Sequence, residues 1–255
     1  MNHVTRLCIE LKILGPFMLR IDGRVVHPGQ PKQRALLALL ALSPGVPVAL
    51  PEIIDALWDH APSAGARNQI QVYVSRLRQQ ISAIPIDTHP AGYVLDLPAE
   101  CVDLIRFEHA VIRAGHLIRD GDLGAADQVL CEALRQWTGR PLSGVPGVYF
   151  ERLADQLQER RLSALEQHVH VRLGLVERSG GDFVELTHNL RPAVTANPLH
   201  EGLRHGLMLA LYHDGRPAEA LAVYREGRQR IVDELGIEPG PRLRSLELRI
   251  LRGDR

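Results

Sequence analysis

Between Asp59 and Asp87 the chain carries Arg67, Arg76 and Arg78 and no carboxylate. All three arginines fall in ARNQIQVYVSRLRQQI, residues 66–81, beside Asn68, Gln71 and Ser75. These side chains suit nucleic acid. An Arg fork pairs bidentately with guanine, Asn or Gln pairs with adenine, and leftover positive charge goes to phosphates. With 100° per residue, Val74, Leu77 and Ile81 fall within about 40° of Ile70, a narrow core-facing stripe. Arg67, Asn68, Gln71, Ser75 and Arg78 then share an arc between about 60° and 160°, with Arg76, Val72 and Gln79 on its far flank. A merely solvated face usually mixes Glu with Lys at i,i+4, and this stretch contains neither. The reading is a base-contacting set of Arg67, Asn68, Gln71, Val72, Ser75 and Arg78. Taken alone, an ordinary solvated basic face explains the pattern too.

Other chemistry is poorly represented. His168 and His170 lie on nearly opposite sides of a helical stretch, His109 and His116 are two turns apart, and no H-E-x-x-H occurs. Phosphate-binding glycine loops and a nucleophile elbow are missing, and carboxylate pairs such as Glu151 with Asp155 or Asp233 with Glu234 sit in charge-mixed helical surroundings. No nucleophile, base and orienter assemble. The expectation is a non-enzyme without metal or cofactor. Cys8, Cys101 and Cys131 are odd in number and form no C-x-x-C, which suits small buried thiols in a reducing cytosol.

The elements that must present the basic helix follow from pattern. LCIELKIL (7–14), FMLRI (17–21) and RVV (24–26) read as strands, with Asp22-Gly23 as a hairpin turn. PKQRALLALLALS (31–43) is a helix opened by Pro31, SPGVPV (43–48) breaks it, and LPEIIDALWD (50–59) is a second helix. HAPSAGA (60–66) is loop, residues 66–81 are the third helix, and PIDTH with GYVLDL closes as a β-hairpin. Strands, three helices and a hairpin is the order of a winged helix-turn-helix module, whose third helix enters the major groove. Phosphate contacts are expected from Lys32 and Arg34 at the first helix, from Arg76, and from helix N-termini. His89 and Tyr93 in the wing are placed to meet the backbone or minor groove, though an aromatic beside Gly at a hairpin usually packs inward.

From Asp103 onward helices are expected at about 103–119, 124–138, 149–178, 183–196, 200–213, 217–235 and 241–251, with Gly, Pro, Asn or Asp in each separator. DGDLGAADQVLCEALRQ (120–136) echoes DGRPAEALAVYREGRQ (214–229), and Ala125, Ala126, Ala218 and Ala220 would let paired helices approach. The echo suits helical-hairpin repeats of the tetratricopeptide type, or two unrelated Ala-rich helices. The fold class is thus mainly α: an N-terminal winged helix over 1–98 and an all-α domain over 103–252. At 255 residues, 45% hydrophobic and 24% charged, the chain suits two soluble domains. Its charges balance at 30 basic and 30 acidic, but residues 1–98 hold nine Lys/Arg against seven Asp/Glu. No apolar run spans a membrane and no signal peptide opens the chain, so a cytoplasmic, nucleoid-associated protein without a membrane partner is expected.

Several motifs taken together resemble the antibiotic-pathway regulators of actinomycetes, the SARP family. QPKQRALLALL (30–40), IDALWD (54–59), ARNQIQVYVSRLRQQI (66–81) and PAGYVLDL (90–97) match that family's landmarks in order. LMLALYHDGRPAEALAVYREGRQRIVDELGIEPGPRLRSLELRIL (207–251) resembles the end of its bacterial transcriptional activation domain. The resemblance implies an OmpR/PhoB-type winged helix joined to a tetratricopeptide-like activation domain. It also implies a transcriptional activator of a secondary-metabolite gene cluster. Such a protein would bind direct repeats in double-stranded DNA as a side-by-side dimer and recruit RNA polymerase holoenzyme. Residues 66–81 become the recognition helix, and the segment from Trp58 to Ala66 the loop that can face polymerase. Where the family often has TRPPGY this chain has THPAGY, which puts His89 in place of a fixed charge and implies a weaker, more pH-sensitive wing contact. GQPKQR in place of GGPKQR is a lesser change, and no ATPase or sensor is expected after the activation domain. The competing reading is a protein-interaction adaptor working through the tetratricopeptide-like part. A small-molecule ligand in that part is compatible with the first reading, although no residue in the sequence picks one out.

Overall fold

The computed structural model describes residues 8–59, 65–179 and 183–253. The chain divides into two compact units, Met1–Ile112 with Glu132–Arg161 and Arg113–Cys131 with Leu162–Arg255.

The first unit opens with an antiparallel sheet of β1 (Ile9–Lys12), β2 (Met18–Ile21) and β3 (Arg24–Val26) in that order. The β2–β3 turn is the Asp-Gly hairpin: Asp22 and Gly23 have φ of 49° and 76°, the two positive values a type I′ turn requires. Helix α1 (Pro31–Ala41) starts with proline and a capping box, in which Gln33 Oε1 accepts the Gln30 N–H at 2.9 Å. Its unbroken Ala/Leu run has no polar face, so it goes to the centre, with Ala35 to Ala41 all buried. Helix α2 (Leu50–Trp58) stops where Asp59 turns left-handed at φ 48°. Helix α3 (Ala66–Gln80) packs Ile70, Val74 and Leu77 inward, each at most 2% exposed, with Ile81 just beyond its end also buried.

The wing differs from a simple hairpin. β5 (Ile86–His89) pairs with β6 (Gly92–Leu95), and β6 pairs on its other edge with β4 (Val48–Ala49), giving the order β4-β6-β5. Residues 43–48, expected only to break the helix, therefore lead into a strand that pins the wing to α2. Gly92 permits this: a Cβ there would lie 1.9 Å from the Val48 carbonyl oxygen.

The same unit holds part of the helical region. Helix α4 (Asp103–Arg119) begins at Asp103, 2% exposed, whose carboxylate accepts the Ile13 N–H at 2.7 Å and the Leu14 N–H at 3.2 Å. Burial raises its pKa above the usual carboxylate value, opposed by those hydrogen bonds, another from the Leu104 N–H, and Arg106. Leu11 bridges Val102, the Leu142 N–H donates to the Ile13 carbonyl at 2.8 Å, and the Thr138 N–H donates to that of Leu14 at 2.9 Å. The Phe17 N–H in turn donates to the Ser143 carbonyl at 2.9 Å. The composition changes near residue 98, but the backbone pairing runs across it.

In the second unit, the ends of α6 (Val148–Ser179), α7 (Phe183–Ala196), α8 (Glu201–His213), α9 (Pro217–Leu235) and α10 (Pro241–Arg252) bury one continuous core. Leu190, Leu203, Leu207, Met208, Leu211, Tyr224, Leu243 and Ile250 are among its members. Glycines allow close helix approach: a Cβ on Gly206 would come 2.4 Å from Val169, and one on Gly227 would come 2.1 Å from Arg204. Arg204, itself 2% exposed, donates to the Val223 carbonyl at 2.9 Å and the Pro198 carbonyl at 2.8 Å, tying α8 to α9. Of the four alanines in the sequence echo, Ala126 (in α5, Leu123–Arg135) and Ala220 are fully buried. Ala125 is half-buried and Ala218 exposed, so one alanine of each pair is packed inside.

Candidate nucleic-acid interface

The exposed side of α3 carries Arg67, Asn68, Gln71, Val72, Ser75, Arg76 and Arg78. The helix starts at Gly65, and among the described residues no side chain caps it and no acid stands in its first turn. Its first N–H groups and the positive end of its dipole are therefore left beside Arg67 and Asn68, an arrangement that favours an anion. Arg67 and Gln71 form one wall of a hollow of about 160 Å³, and wing residues from Thr88 to Tyr93 form the other. Recognition helix and wing thus face one concave surface, and the helix side of it contains no carboxylate.

Not every residue expected at this surface is free to read DNA. Arg78 donates from Nε to the Ile86 carbonyl at 2.7 Å and from Nη2 to Thr88 Oγ1 at 3.0 Å. It joins the end of α3 to β5 and holds the wing at a set distance. Thr88 had no role in the sequence reading. The alternation in PIDTH marks a strand, but only the β5 register places its hydroxyl beside Arg78.

Tyr93, expected among the wing contacts, is 8% exposed and sits opposite Val48 and Thr88 in the sheet. Buried to that degree, the ring helps to wall the hollow and offers little surface for a contact with the DNA backbone. His89 is exposed at the turn, and its Nδ1 accepts the Ala91 N–H at 3.2 Å. Arg76 is exposed on the flank.

Lys32 is more committed than its position suggests. Its ammonium lies 4.0 Å over the Trp58 ring, which stacks on Tyr73 at 6.4 Å and 17°, so α1, α2 and α3 are joined through one stack. Burial lowers the Lys32 pKa, and Asp59 pulls it back up. Arg34 is half-buried, with Nε out of solvent and no hydrogen-bond partner. Residues 60–64 of the loop assigned toward polymerase lie outside the described residues. The start of that loop is nevertheless anchored: Asp59 Oδ1 accepts the Val148 N–H at the head of α6, at 3.0 Å.

A family model described as "Bacterial transcriptional activator domain" matches residues 102–251, and one described as "Transcriptional regulatory protein, C terminal" matches residues 25–95. The regulatory protein DnrI of Streptomyces peucetius is 31% identical over 96% of this chain and 93% of its own length. The chain belongs to the SARP family. Among other SARP-like relatives, AfsR of Streptomyces coelicolor is 40% identical over 96% of this chain. Mycobacterium tuberculosis EmbR, solved in complex with a low-affinity phosphopeptide, superposes with a TM-score of 0.88 and 33% identity, covering 98% of this chain and 66% of that one. The chain spans only 24% of the length of that AfsR. In the wing this SARP carries His89 where the family often has a fixed charge, and Arg78, expected among the base readers, bonds to Ile86 and Thr88.

Proposed function

We propose that this chain is a sequence-specific DNA-binding transcriptional activator of a secondary-metabolite, antibiotic-type gene cluster. It acts without catalytic chemistry of its own, in the cytoplasm at the nucleoid. The observation that carries this reading is the carboxylate-free exposed arc of α3, set across a hollow from the wing. Arg67, Asn68, Gln71 and Ser75 read bases in the major groove, with Val72 at the edge of the arc. Arg76, His89 and the open N-terminus of α3 take phosphates. Lys32 and Arg34 add to the positive field without forming direct clamps. Two copies bind side by side on a direct repeat, and the α2–α3 loop, based at Asp59, engages RNA polymerase holoenzyme.

Selection of bound sequences from random double-stranded DNA, followed by mobility shifts at low and moderate salt, tests the proposal. The expected outcome is an enriched direct repeat whose affinity falls steeply with salt, by the counter-ion release that phosphate contacts impose. Recovery of no motif, with no salt-dependent retardation, would refute it and leave the adaptor reading.

A further inference from the structure

The groove between α8 and α10 belongs to neither the DNA-reading surface nor the helix-packing core. It encloses about 420 Å³, within the range of small-ligand sites. Leu209 and Leu246 form its floor, with Pro241 at one end. Arg242, Ser245 and Arg249, all exposed and spaced i, i+3, i+7 along one face of α10, line one side. His205 of α8 stands opposite.

No carboxylate lines the groove. Two acids stand at its edges: Glu201 accepts the Gly240 N–H at 2.7 Å, and Glu166 of α6 pairs with one side of Arg242 at 3.7 Å. His170 of α6 donates from Nδ1 to the Glu166 carbonyl at 2.8 Å, which leaves its Nε2 as an acceptor facing Arg242 Nη2 at 3.4 Å. Its ring lies 6.4 Å from that of His205. His205 is held neutral, its pKa pushed down to about 4 by burial and by Arg242, His170 and Arg249. Its Nδ1 is buried without a hydrogen-bond partner. An unprotonated Nδ1 is the less costly orphan, so the proton belongs on Nε2, where it is available as a donor. Two guanidinium groups, a hydroxyl and an imidazole therefore surround an apolar floor, and the one carboxylate paired with them, Glu166 on Arg242, lies outside the lining.

From this arrangement we infer that the α8–α10 groove binds a small amphipathic organic carboxylate, its headgroup between Arg242 and Arg249 and its apolar body on Leu209 and Leu246. Two guanidinium forks satisfy one carboxylate, and a floor of two leucines requires a hydrocarbon part that inorganic anions lack. The inference is independent of the DNA reading, because all its residues lie in the second compact unit.

The test is ligand-observed NMR and thermal-shift titration of the whole chain with octanoate, with 1-octanol and inorganic phosphate as its separated halves. Octanoate should bind saturably, and at least tenfold more tightly than either half. Arg249→Gln, a change at an exposed position, should weaken it at least tenfold without moving the unliganded melting temperature. Leu209→Asn should weaken it as well while leaving the weak phosphate response intact. Binding of octanol equal to that of octanoate, or of phosphate equal to that of octanoate, would overturn the inference. So would indifference to Arg249→Gln. A peptide ending in leucine supplies the last arm: tighter binding of its free-acid form than of octanoate would make the site a reader of protein C-termini and overturn the small-ligand assignment.

Discussion

Replacing Arg78 with alanine separates two roles that its position on the helix wheel cannot distinguish. Arg78 gives up one hydrogen bond to the Ile86 carbonyl at 2.7 Å and one to the Thr88 hydroxyl at 3.0 Å. A charged donor on a part-buried carbonyl is worth about 1.5 kcal/mol, and the exposed bond to Thr88 about 0.5 kcal/mol after solvent competition. The sum, about 2 kcal/mol, corresponds to a fall in melting temperature of roughly 4–8 °C for a chain of this size. Arg78→Lys should lose nearly as much, since an ammonium cannot reproduce the two-atom geometry. In a double-mutant cycle with Thr88→Val, the pair should couple by about 0.5 kcal/mol. On DNA, the strut reading predicts uniformly weaker binding across single-base variants of the selected site, with ratios between sites unchanged. A base reader predicts the opposite: normal stability and loss of discrimination at one base pair, where a bidentate contact is worth about 1–3 kcal/mol. An Arg78→Ala chain that melts like the parent and loses preference at a single position would refute the strut.

Gln71→Glu places a carboxylate in the hollow between α3 and the wing; loss of about 3 kcal/mol, roughly a hundredfold in affinity, is expected in mobility shifts, with denaturation curves unchanged. Gly92→Ala would force a Cβ to 1.9 Å from the Val48 oxygen, so β4 and β6 must separate; weakened DNA binding and faster hydrogen exchange at Tyr93 are the readouts. His205 provides a pH signature. Its folded pKa of about 4 lies below the ordinary imidazole value of 6.5, so the unfolded chain binds the extra proton between them. Its contribution is present above about pH 6.5 and is lost as pH falls toward 4. Urea denaturation at pH 7 and pH 5 should show a smaller loss of stability for His205→Gln than for the parent, and equal losses would contradict the neutral assignment.

Helices were largely legible because their apolar spacing depends on local sequence alone. Ile70, Val74, Leu77 and Ile81 announce the inner face of α3 wherever the rest of the chain goes. Pairings that depend on register were not legible. The Val48–Ala49 strand is too short for an alternating signal, and only its meeting with Gly92 reveals it. Arg78 sits on the same wheel arc as Arg67, and the sequence cannot say that β5 comes within hydrogen-bond reach of one and not the other. Lys32 looked like a free phosphate ligand because a cation over a ring 26 residues away leaves no local trace. The Gly/Pro-rich stretch TGRPLSGVPG read as a separator, yet Thr138, Leu142 and Ser143 share backbone hydrogen bonds with residues 13–17. Composition identified it as irregular and was silent on what it pairs with.

Regulators assembled from a reader and an effector invite the picture of cassettes shuffled by recombination. The carboxylate of Asp103 makes one obvious cut a poor one. A crossover near residue 98 would bring a foreign partner to the amides of Ile13 and Leu14, and each buried donor left unpaired costs about 1–3 kcal/mol, a sizeable share of a domain's whole stability. Residues 11–17, 102–103 and 138–143 are consequently a single structural block, although they come from three separate stretches of the gene. Chimeras that keep the block from one parent should fold, and those that divide it should melt earlier.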